Sequence, residues 1–410
     1  MIKLKYLIVF GGALALPVAL PAADIKGLTA GTLQTASMTI KKGETTLTIS
    51  GTMNAADFSY LQDNFNNLQR LDLSEVTIVG YSGPRLPYTG LTTSAAGTLP
   101  SYSLTGLTTL KEVSLPSNLT AIGKGALSGT GITSITIPSG VKEIGAYAFL
   151  RCGNLETVNI PAGVTGIGER AFAYCDNLNS VNIEDNSRLT VIPEGLFEAS
   201  GLKSLRLKSL AECTEIGPWA LAECNGLMTL VLPDATRNIG EAALLGDRAI
   251  QTLSLPANVD YLGDHAMANM TELSTLNVKD LANIPDLGES VWRNVNQRDV
   301  LLITPDELTS EFEEAAQWKD FRIVSESNYE SSTENVISSA NNLKLKIHRE
   351  GDRLLAESDM ALGKVSIYDV SGHLVAGANT PHHNIMFNTS GWNNGIYLIV
   401  CEAGVAKVRI

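Results

Sequence analysis

From Leu110 onward, apolar residues recur as apolar-x-x-apolar-x-apolar, and the pattern restarts at Ile132, Leu155, Leu178, Leu202, Leu227, Ile250 and Leu273. The intervals run from 22 to 25 residues. Within each copy the second and third apolar positions alternate with polar ones, as at Val158 and Ile160, which predicts a short strand with one inward face. Residues 141–152, VKEIGAYAFLRC, and 164–175, VTGIGERAFAYC, share the word V-x-x-I-G-x-x-A-F-x-x-C. The Ile-Gly pair predicts a backbone reversal, with Gly145 and Gly168 in conformations that a side chain forbids. Phe149, Phe172 and Phe197 are expected to stack as one column on the outer side of the core. Later copies put Pro193 and Pro285 in place of the turn glycine, and Leu221, Leu244 and Met267 in place of the phenylalanine.

A period of this length, with L-x-x-L-x-L followed by a return segment, is that of a leucine-rich repeat. One copy cannot bury its own apolar face, so the expected fold is a solenoid of short parallel strands in which neighbours supply each other's core. Both ends then need lids. NAADFSYLQDNFNNL carries Phe58, Leu61, Phe65 and Leu68 at helical spacing, with Asn54 as N-cap and Asp57 in the first turn. TLTISG, just upstream, reads as a strand that begins the sheet. At the far end TPDELTSEFEEAAQWKDFRIV places Leu308, Phe312, Ala315 and Ala316 on one helical face, followed by Trp318 and Phe321. An earlier copy, LQRLDLS from Leu68, is separated from Leu110 by a Gly/Thr/Ser-rich insertion between about Gly80 and Leu99.

After Val324 the pattern stops, and a polar Ser/Asn/Glu-rich stretch reads as a linker. From Leu343 short alternating runs separated by turn signals predict a small antiparallel β-sandwich. The expected organisation is therefore a leader over 1–23, an N-terminal cap with a divergent first repeat over 24–109, and the repeat array with its C-terminal cap over 110–324. A linker over 325–341 and the sandwich over 342–410 complete it. The leader follows from Lys3 and Lys5, an apolar run to Leu20 and then small residues, the layout of a secretory signal peptide. Its apolar core is shorter than the roughly 20 residues a membrane span needs. No transmembrane span is expected in the mature chain. Thirty Lys+Arg against forty-three Asp+Glu give a net charge of −13, the wrong sign for a nucleic-acid partner.

The concave face of a solenoid is its default binding surface. Counting outward from the apolar positions, one column reads Glu112, Ser134, Thr157, Ser180, Ser204, Thr229, Thr252 and Thr275. The next reads Ser114, Thr136, Asn159, Asn182, Arg206, Val231, Ser254 and Asn277. Thr136, Thr157, Asn159, Ser180, Asn182, Ser204 and Arg206 are the candidate ligand-binding residues, Arg206 being the charged anchor. Threonine is also simply a good exposed strand residue, so the columns read equally as plain sheet surface. They lack Trp and Tyr, so this face has no stacking platform for sugar rings. The insertion, with Tyr81, Arg85 and Tyr88, is a long loop of the kind that carries function.

Cys152, Cys175 and Cys224 hold the same repeat position. Adjacent rungs at about 4.8 Å permit a Cys152–Cys175 bridge, while an unpaired ladder of small buried side chains is the favoured reading. His382 and His383 are adjacent in a sandwich loop but have no companion ligands at zinc spacing. No nucleophile-elbow, zincin or phosphate-loop word occurs, and no cofactor or enzymatic activity is expected.

The repeated word, the LDLS strand and the closing TPDEL…WKDF segment resemble the BspA-like leucine-rich repeat surface proteins of Bacteroidota, over about Leu28 to Val324. The C-terminal segment resembles the sorting domain of the type IX secretion system in VSIYDVSGHLV (Tyr368, Asp369, Gly372), GWNNGIYLIV (Gly395, Tyr397) and the ending KVRI. These resemblances imply an exported protein, on the cell surface or secreted. They also imply an adhesin or recognition module whose partner is a host extracellular or bacterial surface protein. The alternative is a structural protein that assembles with itself and has no specific ligand.

Overall fold

The computed structural model describes residues 23–41, 43–87, 89–185, 188–333, 346–350, 353–357, 362–369, 374–380, 382–392, 395–401 and 404–409. The expected leader, apart from Ala23, lies outside them, as do Tyr88, residues 334–341 of the expected linker, and Gly372. The contacts divide the chain into one unit of residues 1–273 with 285–295 and another of 274–284 with 296–410.

In the first unit the repeats form a parallel β-solenoid. Taking one rung as the pattern, the strand Thr157–Ile160 buries Val158 and Ile160 and exposes Thr157 and Asn159. It pairs in parallel with Ser134–Thr136 on one side and Ser180–Ile183 on the other. Strands Ser204–Arg206 and Thr229–Val231 extend this main sheet. A turn at Pro161 leads to a second short strand, Gly166–Ile167, which pairs in parallel with Glu143–Ile144. This second sheet is absent from the sequence reading, because two residues are too few for an alternation to register.

The return path is built from turns, and its hydrogen bonds alternate between two directions. The N–H groups of Ala148, Leu150 and Cys152 bond the carbonyls three residues back. Those of Tyr147, Phe149 and Arg151 instead bond Glu169, Ala171 and Ala173 on the next rung. Aiming alternate amides along the stack requires a left-handed residue at two places per rung. Tyr147 (φ 59) and Arg151 (φ 58) take them here, and Arg170 (φ 51) and Tyr174 (φ 56) in the following rung. The first such column continues through Gly195, Trp219, Ala242, His265 and Ser290, the second through Ala199, Glu223, Gly246, Asn269 and Asn294.

This corrects the role expected of the Ile-Gly glycines. Gly145 and Gly168 are not left-handed; the strained conformation falls two residues later, on non-glycine side chains. Their need for hydrogen is steric. A Cβ on Gly145 would lie 2.6 Å from the Lys124 backbone nitrogen, and one on Gly168 would lie 2.2 Å from that of Ala146. Pro285 is also reassigned: Leu262 pairs with Leu287, so Gly288 holds the turn-glycine position, and its Cβ would lie 2.5 Å from the Asp264 nitrogen. The phenylalanine column is as expected. Phe149 and Phe172 stack at 4.9 Å and 6°, Phe172 and Phe197 at 5.9 Å and 21°. Leu221, Leu244 and Met267 continue it, fully buried.

The N-terminal lid is the helix Ala55–Asn64. Asn54 caps it as expected, accepting from the Ala56 N–H at 2.9 Å. The buried Asp57 carboxylate accepts from Asn54, Gly31 and Leu33 N–H groups at 2.9, 2.7 and 2.9 Å. It thereby ties the lid to a short helix, Leu33–Ala36, which the sequence did not reveal. Strands Ala23–Leu28, Thr46–Met53, Arg70–Ile78 and Glu112–Ser114 form the sheet beneath.

In the second unit Thr275–Asn277, Leu301–Thr304 and Arg322–Ser325 pair in parallel. The expected closing helix is shorter than its pattern: it spans Thr309–Glu314, Leu308 lies in the preceding 3-10 turn, and Ala315 is already extended. The chain must reverse there, with Gln317 at φ 63, to bury Trp318 against Phe312 at 5.2 Å. Residues expected to begin the linker form the helix Glu326–Thr333, anchored by Lys279–Glu326 at 2.5 Å and by Asp306 on Ser327. The sandwich packs Lys346–Glu350, Arg353–Glu357 and Asn384–Asn388 as one antiparallel sheet. The other holds Gly363–Asp369, Leu374–Thr380, Ile396–Cys401 and Gly404–Arg409. Leu354, Val365, Ile367, Phe387 and Ile399 form its core.

The two kinds of backbone constraint respond oppositely to substitution. Gly145→Ala forces a methyl onto backbone and is expected to destabilise by about 1–3 kcal/mol. Ala199→Gly relieves a left-handed alanine (φ 52) and is expected to stabilise by up to about 1 kcal/mol. Denaturant midpoints of the two variants check both signs.

Candidate functional site

The alternation that buries Val158 and Ile160 necessarily presents the other positions to solvent. Thr136, Thr157, Asn159, Ser180, Asn182, Ser204 and Arg206 are all exposed on the main sheet. Register brings them into rows: Ser134, Thr157 and Ser180 are successive partners, as are Thr136, Asn159 and Asn182. Ser180 pairs with Ser204, and Arg206 pairs with Val231. On this sheet the first predicted column runs in register from Ser134 to Thr229, and the second from Thr136 to Asn182.

Their polar atoms are already organised. Asn182 Nδ2 donates to Asn159 Oδ1 at 2.5 Å, and Asn159 Nδ2 donates to Glu184 Oε1 at 2.7 Å. Glu184 Oε2 also accepts the Ala162 N–H at 3.1 Å. The Asn159 donation, then that of Ala162, lowers the Glu184 carboxyl below its usual range. Glu184 escaped the sequence reading, although it follows Ser180 and Asn182 at period two and so had to share their face. In the sheet beneath the N-terminal lid Arg70 pairs with Glu112, the first residue of the other predicted column, at 2.7 Å. Among the described residues no acid forms an ion pair with Arg206. It is a cation on an otherwise neutral polar row.

The insertion lies within one turn, between the strand Arg70–Ile78 and the second-sheet strand Thr98–Leu99. Tyr81–Ser82 pairs antiparallel with Thr93–Ser94, and Tyr81 OH donates to the Pro84 carbonyl at 2.7 Å. It is a self-bonded hairpin.

The cysteine position is a buried corner column that reads Thr130, Cys152, Cys175, Ser200, Cys224 and Asp247. All five cysteines are unbridged. Cys152, Cys175 and Cys224 donate to the carbonyls of Leu127, Phe149 and Phe197 at 3.1–3.2 Å. Burial pushes the Cys152 thiol up to about 11 and raises those of Cys175 and Cys224 well above the ordinary thiol value. These are neutral structural donors, since nucleophilic chemistry needs the thiolate. Asp247 is fully buried: Oδ1 accepts the Cys224 N–H at 2.9 Å, and Oδ2 meets no donor. Burial drives its carboxyl well above the usual range. Among the described residues no cluster of three or more His, Cys, Asp or Glu side chains could hold a metal.

Rungs of paired parallel strands, an apolar and phenylalanine core between them, and a solvent-facing polar row define a leucine-rich repeat solenoid. The BspA type leucine-rich repeat region matches over 92–202 and 186–299, in 6 copies, and the chain belongs to that family. The secretion system C-terminal sorting domain matches over 339–409. Together these matches mark the chain for export, to the cell surface or by secretion. Among the described residues no helix is long and apolar enough to cross a membrane.

A leucine-rich repeat protein from Bacteroides ovatus is 23% identical, with TM-score 0.48, over 63% of this chain and 59% of its own, so less than two thirds of that protein is spanned. The pneumococcal vaccine antigen PcpA is 15% identical, with TM-score 0.30, over 68% of this chain and 79% of its own. A leucine rich cell surface protein from Faecalibacterium prausnitzii is 16% identical, with TM-score 0.27, over 66% of this chain and 83% of its own. No functionally curated protein matches the chain.

The Asp247 carboxyl has a raised folded-state pKa, so the stability it allows is fully present below its unfolded value near 3.9 and is lost as pH rises above it. Asp247→Asn is expected to stabilise at pH 7.5, on the order of 1–3 kcal/mol, and to gain much less at pH 4. Chemical denaturation at the two pH values reads this. In separate samples at pH 8, Cys152, Cys175 and Cys224 are expected to resist alkylation until denaturant is added.

Proposed function

We propose that this exported chain is a recognition or adhesion protein that binds a protein partner across the open face of its main sheet, without catalysis or cofactor. The observation that carries the reading is the set of in-register exposed rows, ordered before any partner arrives by the Asn182–Asn159–Glu184 chain of hydrogen bonds. A surface whose side chains are already positioned loses little conformational freedom on binding. With no Trp or Tyr in the rows, affinity comes from many modest hydrogen bonds and one cation, Arg206. Thr136, Thr157, Asn159, Ser180, Asn182, Ser204 and Arg206 are the contact set, and a host extracellular or bacterial surface protein is the partner class. The sandwich serves export and presentation.

Reversing the charge of Arg206 and crowding the neighbouring row tests the face directly. Arg206→Glu with Thr157→Lys is expected to lose captured extracellular-matrix or mucosal proteins by at least 10-fold, about 1.4 kcal/mol, at unchanged denaturation midpoint. Capture of the same proteins in the same amounts by both chains removes the sheet face from the reading. Concentration-dependent self-association in light scattering, abolished by the same pair of substitutions, replaces it with self-assembly.

A further inference from the structure

The sheet beneath the N-terminal lid ends on a strand with one open edge. Ala23–Leu28 pairs in parallel with Thr46–Met53, Asp24 opposite Thr48 and Ile25 opposite Ile49, and among the described residues no strand pairs on its other side. Such an edge offers a row of backbone donors and acceptors to another strand. Its regular stretch is short. The register shifts after Ile25, Gly27 is left-handed (φ 63), and the Gly27 N–H bonds back to Ser50 Oγ at 3.3 Å. Ile25 and Leu28 are buried, whereas Asp24 and Lys26 are exposed. Among the described residues neither of the two charges forms an ion pair. The chain leading on from this strand carries Met38, 75% exposed, the most exposed large apolar side chain among the described residues.

A lone lysine on an edge repels the same strand of a second molecule, which is one way proteins keep their edges apart. Asp24, two residues away, reverses this for a single arrangement. Antiparallel pairing of two such strands about a two-fold axis at Ile25 sets Asp24 of each molecule opposite Lys26 of the other, and opposite charges facing across strands attract. An axis at Asp24 or at Lys26 instead sets like charges face to face. An axis displaced by half a residue from Ile25 pairs this buried residue with a charge that belongs on the opposite face of the sheet. The edge is therefore self-complementary in one register, as a two-fold interface requires.

We propose that the occupant of this edge is a second copy of the chain, joined end to end by antiparallel pairing of Asp24, Ile25 and Lys26 with Lys26, Ile25 and Asp24 of the other molecule. The axis of such a pair stands perpendicular to the sheet, so the exposed faces of both molecules look the same way. Asp24 lies beside Thr48, Thr48 beside Asp72, and Asp72 beside Ser114, the head of the second exposed column. The dimer thus runs that row of one molecule into that of the next, and a partner with repeated epitopes meets two faces at once. The pairing itself does not depend on what the faces bind.

The test is sedimentation velocity on the purified mature chain from about 1 to 500 μM, a range that covers the weak affinities of small interfaces. A reversible monomer–dimer equilibrium is expected. Asp24→Lys and Lys26→Asp each set like charges opposite one another and are expected to raise the dissociation constant at least about 10-fold. The double variant Asp24→Lys with Lys26→Asp restores the complementarity and is expected to recover the original constant to within about threefold. Both side chains are exposed, so thermal midpoints stay unchanged. Arg206→Glu with Thr157→Lys leaves the dimer as it is, which separates this edge from self-assembly through the sheet face. The proposal is overturned by a monomer throughout the range, by a dimer indifferent to the single reversals, by a double variant that stays dissociated, or by a dimer lost with the Arg206 and Thr157 substitutions.

Discussion

Along the return turns every second backbone N–H leaves its own loop to bond a carbonyl one rung further on, and the remaining repeat features follow from keeping that bond in register. Alternate amides can point along the stack only if two residues per rung are left-handed, a conformation that costs a side-chain-bearing residue roughly 1–2 kcal/mol. The bond also brings successive backbones so close that Gly145, Gly168 and Gly288 have no room for a Cβ. Rungs held at this distance place their aromatic side chains face to face, hence the 4.9 Å stacking of Phe149 on Phe172.

The recurring cysteine has the same origin. The corner beside the phenylalanine column leaves a carbonyl of the preceding rung facing a small buried space. A side chain there must be compact, tolerate burial and carry a donor. Cysteine meets all three conditions as a small, weakly donating apolar residue, and threonine at 130 and serine at 200 are its polar equivalents. Asp247 departs from the rule: at this corner it accepts an N–H from the preceding rung, and its second oxygen is left without a donor.

The period, the inward strand positions and the phenylalanine column were legible in the sequence because each rests on a spacing that repeats. The exposed rows were legible for the same reason, as they are the complement of the buried ones. The second sheet was hidden because Gly166–Ile167 and its counterparts are two residues long. The left-handed columns were hidden because their occupants include Tyr147, Arg170, Trp219 and His265, side chains that local rules place elsewhere. At the far lid, the periodicity of Leu308, Phe312 and Ala315 overstated the helix, since burying Trp318 required a reversal that no local pattern records.

The hairpin between Arg70–Ile78 and Thr98–Leu99 shows where this architecture accepts added sequence. It leaves after the strand Arg70–Ile78, whose ladder goes on to Glu112–Ser114, and returns at Thr98–Leu99, the strand with which the second sheet begins. The joint between the two strands of a rung is therefore a port: a lineage or a designer can enlarge the molecule there by a whole module while the spine goes on folding as before.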